Sequence, residues 1–331
     1  MNGGPFDPDA AAILERMAAA GSRSLSEMGV AGVRDLMENM PRAPGPRMAS
    51  VEDVQLAGPY GPLLVRLYRP STDQVLPAIV FFHGGGMVMG SVDSYDHLAR
   101  QLAGSCSAVV ASVDYRLAPE YRYPTATDEA YFATRWIFEH AGEVGCDARR
   151  VAVAGDSAGG CLAAAVCLMA RDRGGPSILA QLLVYPGVDR DYELPSIHEF
   201  AGGPVLTLPD IIWMKDAYLG TGDSPDHPYA VPANCTDLSD LPEAIVVTAA
   251  NDPIRDGCEK YGLRLRDAGV QTALLRYPGV YHGFFSQGHL LRRAQVAMGE
   301  VAALMRTKFD LAKMDDPVPS PNGSGGRRPK S

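Results

Sequence analysis

The stretch that decides the fold is Val151 to Gly160, which reads VAVAGDSAGG. Its first four residues are small and apolar, as is typical of a strand buried on both faces of a parallel sheet. Glycines on either side of Ser157 permit a sharp turn, and the apolar run after them indicates a helix. The stretch therefore predicts a strand, a tight turn and a helix, with a serine at the turn.

The residues from Gly155 to Gly159 also fit Gly-x-Ser-x-Gly, the pattern of a nucleophile elbow. In an elbow the strained turn lifts the serine Oγ out at the carboxyl edge of the sheet, near a helix amino terminus that favours negative charge. The pattern alone is common, and a purely structural turn is the competing interpretation. The strand and the helix around it favour a catalytic serine.

Strands and helices alternate on both sides of this stretch. Nearly all-apolar runs predict further buried strands, and amphipathic runs between them predict helices. The alternation indicates an α/β fold with a parallel sheet covered by helices on both faces. The predicted strands are a hairpin of Val51–Leu56 and Leu63–Tyr68, then Ala78–Phe82, Ala108–Val113, Val151–Ala154, Ala180–Val184, Ala244–Ala249 and Thr272–Tyr277.

Breaks in the alternation predict the domain organisation. Residues 1–45 predict two N-terminal helices that belong to a cap, and prolines and a glycine end this segment. Residues 186–241 are too long for an ordinary connection and predict a cap or lid insertion with one helix. Residues 46–185 and 242–313 are then the two parts of the core. Residues 314–331, rich in Pro, Gly and Ser, predict a disordered tail.

Composition argues against several classes of function. The chain has 331 residues and a formal net charge of −9, so a nucleic-acid partner, which needs a basic face, is not expected. The six cysteines form no CxxC pair and no HExxH pattern occurs, so neither a disulfide framework, a metal site nor a cofactor is predicted. No signal-peptide pattern and no membrane-spanning apolar run are visible, which predicts a cytoplasmic location.

A second glycine-rich stretch, His83-Gly84-Gly85-Gly86, follows the predicted strand Ala78–Phe82. Successive glycines let backbone N–H groups approach a ligand closely, as the oxyanion of a tetrahedral intermediate requires. A flexible loop is the competing interpretation. A phosphate-binding loop is excluded because neither of the two glycine patterns of nucleotide sites fits.

A serine nucleophile needs a base and an orienting carboxylate, in the chain order serine, acid, histidine for this kind of fold. Asp252 comes shortly after a predicted strand, whereas its competitor Asp256 is expected on the next helix. His282 follows the last predicted strand, and His289, the other histidine beyond Asp252, is expected at the surface. We therefore predict that Ser157, Asp252 and His282 are catalytic.

With these motifs in this order, the chain resembles a bacterial carboxylesterase of the hormone-sensitive-lipase type, which has the α/β-hydrolase fold. The resemblance covers residues 41–310 and also fits a helical N-terminal cap. It implies a mostly parallel sheet of eight strands with helices on both faces. The motifs are HGGG at 83–86, DYRLAPE at 114–120, GDSAGG at 155–160, NDPIRD at 251–256 and YHGF at 281–284.

The resemblance also implies roles for individual residues. Ser157 is the nucleophile, His282 the base and then the acid, and Asp252 the orienting acid. The oxyanion donors are the backbone N–H groups of three residues, and two further residues support the glycine loop. The donors are Gly85, Gly86 and Ala158, and the supporting residues are His83 and Gly84. The role of Asp156 stays open; it is not the triad acid, because its side chain is expected to point away from the serine Oγ.

The expected function is cleavage of small-molecule esters with short-to-medium acyl chains through an acyl-serine intermediate. An amidase, deacetylase, lactonase or acyltransferase would use the same triad, and a non-catalytic small-molecule receptor is disfavoured because such relatives lack the histidine. Relatives of this type often pair through the last strand and helix, so a homodimer is an expectation. The predicted pocket residues are Met87, Phe200, Val205, Leu206, Trp213, Tyr218 and Phe284.

Overall fold

A computed structural model describes residues 4–21, 23–40, 43–221 and 226–314. Within these residues, eight strands form one sheet. They are β1 (Ser50–Gly58), β2 (Gly61–Arg69), β3 (Leu76–Phe82), β4 (Val109–Val113), β5 (Cys146–Asp156), β6 (Ala180–Val184), β7 (Glu243–Asn251) and β8 (Thr272–Tyr281).

The strands lie in the order β1-β2-β4-β3-β5-β6-β7-β8. β1 pairs with β2 and β2 with β4 in antiparallel fashion, and every other pairing is parallel. The predicted mostly parallel sheet is confirmed. Every residue of β3, β4 and β6 is buried, because helices cover both faces of the sheet at these strands.

Ten α-helices occur in the described residues. Helices α3 and α10 pack on one face of the sheet, whereas α4, α6 and α9 pack on the other. None of the helices in this part of the chain is long and apolar enough to cross a membrane. They are α1 (Pro8–Ala19), α2 (Leu25–Asn39), α3 (Asp96–Cys106), α4 (Thr125–Glu139), α5 (Ala141–Val144), α6 (Ala158–Asp172), α7 (Pro195–Glu199), α8 (Leu208–Leu219), α9 (Arg255–Asp267) and α10 (Arg292–Met314).

The two N-terminal helices lie in different places, which corrects the prediction that both belong to the cap. Asp7, just before α1, donates its N–H to Gly279 O at 2.8 Å and pairs with Arg293 at 3.0 Å, so α1 lies against the core. Helix α2 packs on α8, and Ser26 N donates to Asp210 Oδ1 at 2.8 Å. Only α2 therefore covers the cap insertion.

The insertion holds α8, as predicted, and also the short helix α7, which the sequence did not predict. Helix α7 is held by hydrogen bonds from Ser196 N to Asp256 Oδ2 (2.9 Å) and from Ser196 Oγ to Pro253 O (2.7 Å). Thr207 and Asp210 form a capping box at the start of α8. The predicted tail lies outside the described residues apart from Met314, which ends α10.

Candidate active site

The turn between β5 and α6 holds Ser157 in a strained conformation. Its φ is 53° and its ψ is −116°, a combination rarely adopted by a residue with a side chain. The turn is also crowded, since a Cβ on Gly155 would collide with the backbone of Gly159, and one on Gly159 with the carbonyl of Phe82. Only glycines fit on either side, and the close packing fixes the serine at the carboxyl edge of the sheet.

The structure brings Ser157, His282 and Asp252 into one hydrogen-bonded chain. His282 Nε2 lies 2.9 Å from Ser157 Oγ, and His282 Nδ1 lies 2.7 Å from Asp252 Oδ2. Asp252 is fully buried directly after β7, and its Oδ1 accepts the N–H of Ile254 at 3.0 Å. His282 directly follows β8. The three side chains meet because β5, β7 and β8 are parallel and end at the same edge.

The two competing residues lie elsewhere. Asp256 is in the first turn of α9, where it pairs with Arg255 at 2.8 Å and accepts the N–H of Ser196. The ring of His289 packs edge-on against the ring of His97, with 5.3 Å between the centroids. The structure therefore places Asp252, and not Asp256, beside the histidine that faces the serine.

The glycine loop after β3 lies beside the serine. Gly85 and Gly86 have positive φ values of 108° and 64°, and the N–H groups of Val88 and Met89 both donate to Gly85 O at 3.0 Å. Ala158 begins α6, so its N–H has no partner within the helix. In the described residues the N–H groups of Gly85, Gly86 and Ala158 donate to no other protein group. They are free to bind a ligand oxygen.

A pocket that is partly open to solvent begins at Ser157 and runs under helix α8. Of the seven predicted pocket residues, Met87, Leu206 and Tyr218 line it. The others that line it are Gly86, Ser157, Ala158, Cys161, Gly187, Asp189, Ile211, Met214, Lys215 and Ile254.

A family model that describes the α/β-hydrolase fold matches residues 79–286, which include the glycine loop, the elbow, the acid and the histidine. The chain belongs to this family. The esterase LipI of Mycobacterium tuberculosis is 41% identical over 84% of this chain and 88% of its own length. Carboxylesterase NlhH of the same species is 42% identical over 73% of this chain and 77% of its own length.

Solved structures of ester hydrolases agree with this assignment. A hyperthermophilic esterase from the archaeon Pyrobaculum calidifontis is 39% identical, with a TM-score of 0.85 over 92% of this chain and 99% of that one. An ester hydrolase from the metagenome of Lake Arreo, solved with a bipyridine phosphonate derivative, is 37% identical, with a TM-score of 0.88 over the same shares. The resemblance to esterases of the hormone-sensitive-lipase type is confirmed.

The structure corrects the pocket prediction for four residues. Phe284 is fully buried and packs on Tyr185 and Tyr277. Val205 packs against the core, Trp213 packs within the cap, and the ring of Phe200 lies under the guanidinium of Arg255.

The face of α8 that lines the pocket explains much of the difference between the predicted and the observed pocket residues. Residues 211, 214, 215 and 218 follow the i, i+3, i+4, i+7 spacing of one helix face, and all four line the pocket. Trp213 is one residue from Met214 and so points about 100° away from it around the helix axis. The spacing could have identified Ile211, Met214 and Lys215, but the sequence does not reveal which face of the helix meets the serine.

Asp156, left unassigned by the sequence, connects the elbow to the glycine loop. Its Oδ1 accepts the N–H of Gly84 at 2.9 Å, and its Oδ2 accepts the hydroxyl of Tyr95 at 3.2 Å. Burial raises the pKa of Asp156 to about 7. The charge of the nearby His282 and these two hydrogen bonds lower the pKa, but burial has the larger effect. The carboxyl therefore links the glycine loop to the elbow beside Ser157.

We expect Asp156→Asn to flatten the pH dependence of stability. The ordinary pKa of the carboxyl is 3.8, so its raised value in the folded chain makes the unfolded chain the better acid. Asp156 therefore lowers the free energy of unfolding progressively as the pH rises from about 4 to about 7. The asparagine Oδ1 still accepts from Gly84. Urea unfolding at a series of pH values measures the effect, with the exposed Asp73→Asn as control. Equal slopes for wild type and Asp156→Asn would contradict it.

His83 braces the same loop from within the core. Its ring is fully buried and stacks on Tyr115, with 4.3 Å between the centroids. Burial lowers the pKa of His83 to about 4, so the ring is neutral near pH 7. Its Nδ1 lies 2.7 Å from Gly84 O and donates to that carbonyl. A neutral, buried ring in this position supports the glycine loop.

Proposed function

We propose that the protein is a carboxylesterase that hydrolyses small-molecule esters through an acyl-serine intermediate. One observation carries the proposal: Ser157, His282 and Asp252 form a continuous hydrogen-bonded chain at the end of a pocket. Such a chain gives a serine hydroxyl a base, and gives that base a fixed orientation.

Acylation begins when His282 Nε2 accepts the proton of Ser157 Oγ, which attacks the ester carbonyl carbon. The carbonyl oxygen becomes an oxyanion and accepts hydrogen bonds from the N–H groups of Gly85, Gly86 and Ala158. Asp252 stabilises the resulting imidazolium through its Nδ1–H. The imidazolium then protonates the alkoxy oxygen, the C–O bond breaks, and an alcohol leaves an acyl group on the serine.

Deacylation repeats these steps with water. His282 Nε2 takes a proton from a water molecule, which attacks the acyl carbon while the same three N–H groups hold the oxyanion. The tetrahedral intermediate collapses, the serine oxygen recovers its proton from the imidazolium, and a carboxylic acid is released. The cycle consumes one ester and one water, and needs no further reactant.

The pocket supports a preference for short-to-medium acyl chains. Its wall includes the apolar side chains of Leu206, Ile211 and Met214. Each buried methylene contributes about 0.8 kcal/mol, or about fourfold in kcat/KM, until the pocket is full. Because the pocket is small and partly open to solvent, a modest chain fills it.

We expect kcat/KM for p-nitrophenyl esters to rise from acetate to chains of about four to eight carbons, then fall at least about tenfold by sixteen. Steady-state kinetics across the series measures this. Leu206→Ala should shift the optimum to longer chains because it removes part of the pocket wall. The neighbouring Val205→Ala, outside the pocket, is the matched control. An optimum at the longest chain in the wild type would contradict the proposal.

A further inference from the structure

One cation lies in the otherwise largely apolar part of the pocket under α8. Lys215 is on the pocket face of this helix, between the apolar residues Ile211 and Met214 and the aromatic Tyr218. The residue is part-buried, and burial is the main cause of the lowered pKa of its ammonium group. A desolvated charge is costly unless a partner compensates it. A lysine without such a partner in the protein is available to bind an anionic group of a ligand.

The protein supplies Lys215 with little compensation. Its Nζ donates to Gly187 O at 2.8 Å, and the N–H of Gly187 donates to Ser157 O at 3.0 Å, which places the ammonium near the nucleophile. An ammonium group has three N–H donors. In the described part of the chain, Gly187 O is its one hydrogen-bond acceptor, and no described carboxylate forms an ion pair with it.

Asp189 is the acidic residue that shares the pocket wall, but other groups occupy its carboxylate. Its Oδ1 accepts the N–H groups of Arg190 and Asp191 at 2.7 and 2.9 Å, and its Oδ2 lies 4.0 Å from Lys260 Nζ. From a greater distance Asp189 raises the pKa of Lys215 while Arg190 lowers it, so the two act in opposite directions. The spare donors of Lys215 therefore remain available to a bound molecule.

We propose that Lys215 binds a carboxylate carried by the substrate, so that the enzyme prefers anionic monoesters to neutral esters of the same length. This inference rests on the proposed ester hydrolysis at Ser157. A substrate carboxylate would accept hydrogen bonds from the spare N–H groups and supply the missing counter-charge in a partly desolvated site, and such charge-assisted hydrogen bonds are strong. The substrate carries this carboxylate on either the acyl or the alcohol part of the ester, and the experiment distinguishes the two cases.

The test compares two matched pairs of esters by pH-stat titration. For the acyl part, monomethyl glutarate is compared with methyl pentanoate. For the alcohol part, 4-acetoxybutanoate is compared with butyl acetate. The proteins are the wild type, Lys215→Met, Lys215→Gln and Lys260→Met. Lys215→Gln keeps a donor for Gly187 O, and Lys260→Met removes a neighbouring positive charge outside the pocket wall, which controls for the general field.

We expect the wild type to prefer the anionic ester of one pair, with the preferred pair identifying the part that carries the carboxylate. In both Lys215 variants the ratio of kcat/KM for that anionic ester to kcat/KM for its neutral partner should fall about 10- to 100-fold, mainly through a higher KM for the anionic ester. Lys260→Met should keep the preference.

Three results would overturn the inference. They are equal wild-type activity within both pairs, a preference that survives in Lys215→Gln, and an equal loss on anionic and neutral esters. If Lys215→Met does not fold, the wild-type comparison still tests the preference for anionic esters, and Lys215→Gln still tests the role of the lysine. Hydrolysis of neutral esters without an anionic preference removes only this inference, whereas failure to hydrolyse any ester would remove the proposed function as well.

Discussion

Ser157→Ala is expected to lower kcat for ester hydrolysis by about 10⁶-fold, the size of loss seen when a serine nucleophile of a triad is removed. The reason is that His282 Nε2, 2.9 Å from the hydroxyl, would have no proton to accept and no acyl-enzyme could form. The variant should still hydrolyse the ester about 10³–10⁴-fold faster than the uncatalysed reaction in water, because the N–H groups of the glycine loop and substrate binding remain.

The measurement is hydrolysis of p-nitrophenyl butyrate, supported by labelling with a fluorophosphonate probe. The wild type should gain the mass of the phosphonyl group on the peptide that contains Ser157, and the variant should gain none. The surface variant Ser239→Ala serves as a control and should behave as the wild type. Undiminished hydrolysis by Ser157→Ala, or labelling at another residue, would show that this serine is not the nucleophile.

Asp252→Asn is expected to lower kcat by about 10⁴-fold while leaving the fold intact. Asp252 Oδ2 accepts the Nδ1–H of His282 and so leaves Nε2 unprotonated and facing Ser157. An asparagine amide can donate to Nδ1 instead, which favours the tautomer whose Nε2 carries the proton. A histidine in that tautomer cannot accept the serine proton, so the loss falls on the chemical step.

Kinetics of p-nitrophenyl butyrate hydrolysis, with circular dichroism as a check on folding, tests this expectation. Asp256→Asn is the matched control, because Asp256 lies four residues further along the same segment and pairs with Arg255. Its kcat should stay within a few-fold of the wild type. A large loss in Asp256→Asn and a small one in Asp252→Asn would assign the acid to the other residue.

Local sequence was sufficient to predict the sheet and the three residues whose side chains meet at its edge. The buried strands are nearly all-apolar runs, so their positions follow from the need to keep most polar side chains out of the core. The triad followed from chain order, because Ser157, Asp252 and His282 each come at or just after the carboxyl end of a predicted parallel strand. The elbow glycines also carried a local signal, since a turn this tight leaves no space for a Cβ.

Contacts between distant segments were not predictable in the same way. Asp156 is adjacent to the serine, yet its role depends on Gly84 and Tyr95, 72 and 61 residues away in the chain. The sequence assigned α1 to the cap because the family resemblance fits a helical N-terminal cap. The amphipathic pattern of α1 shows that one face is buried, but it does not show which element covers that face. The structure places that face on the core, held by Asp7 and Arg293.

The sequence by itself determined the strands, the elbow, the glycine loop and the three residues that meet at the sheet edge. These follow from local rules, namely burial on both faces, backbone space at glycines and the common direction of parallel strands. Only the tertiary structure decided which face of α8 lines the pocket and that Lys215 lies there with few partners. The helix pattern leaves its rotation about its own axis open, and only packing against α2 and the core fixes it.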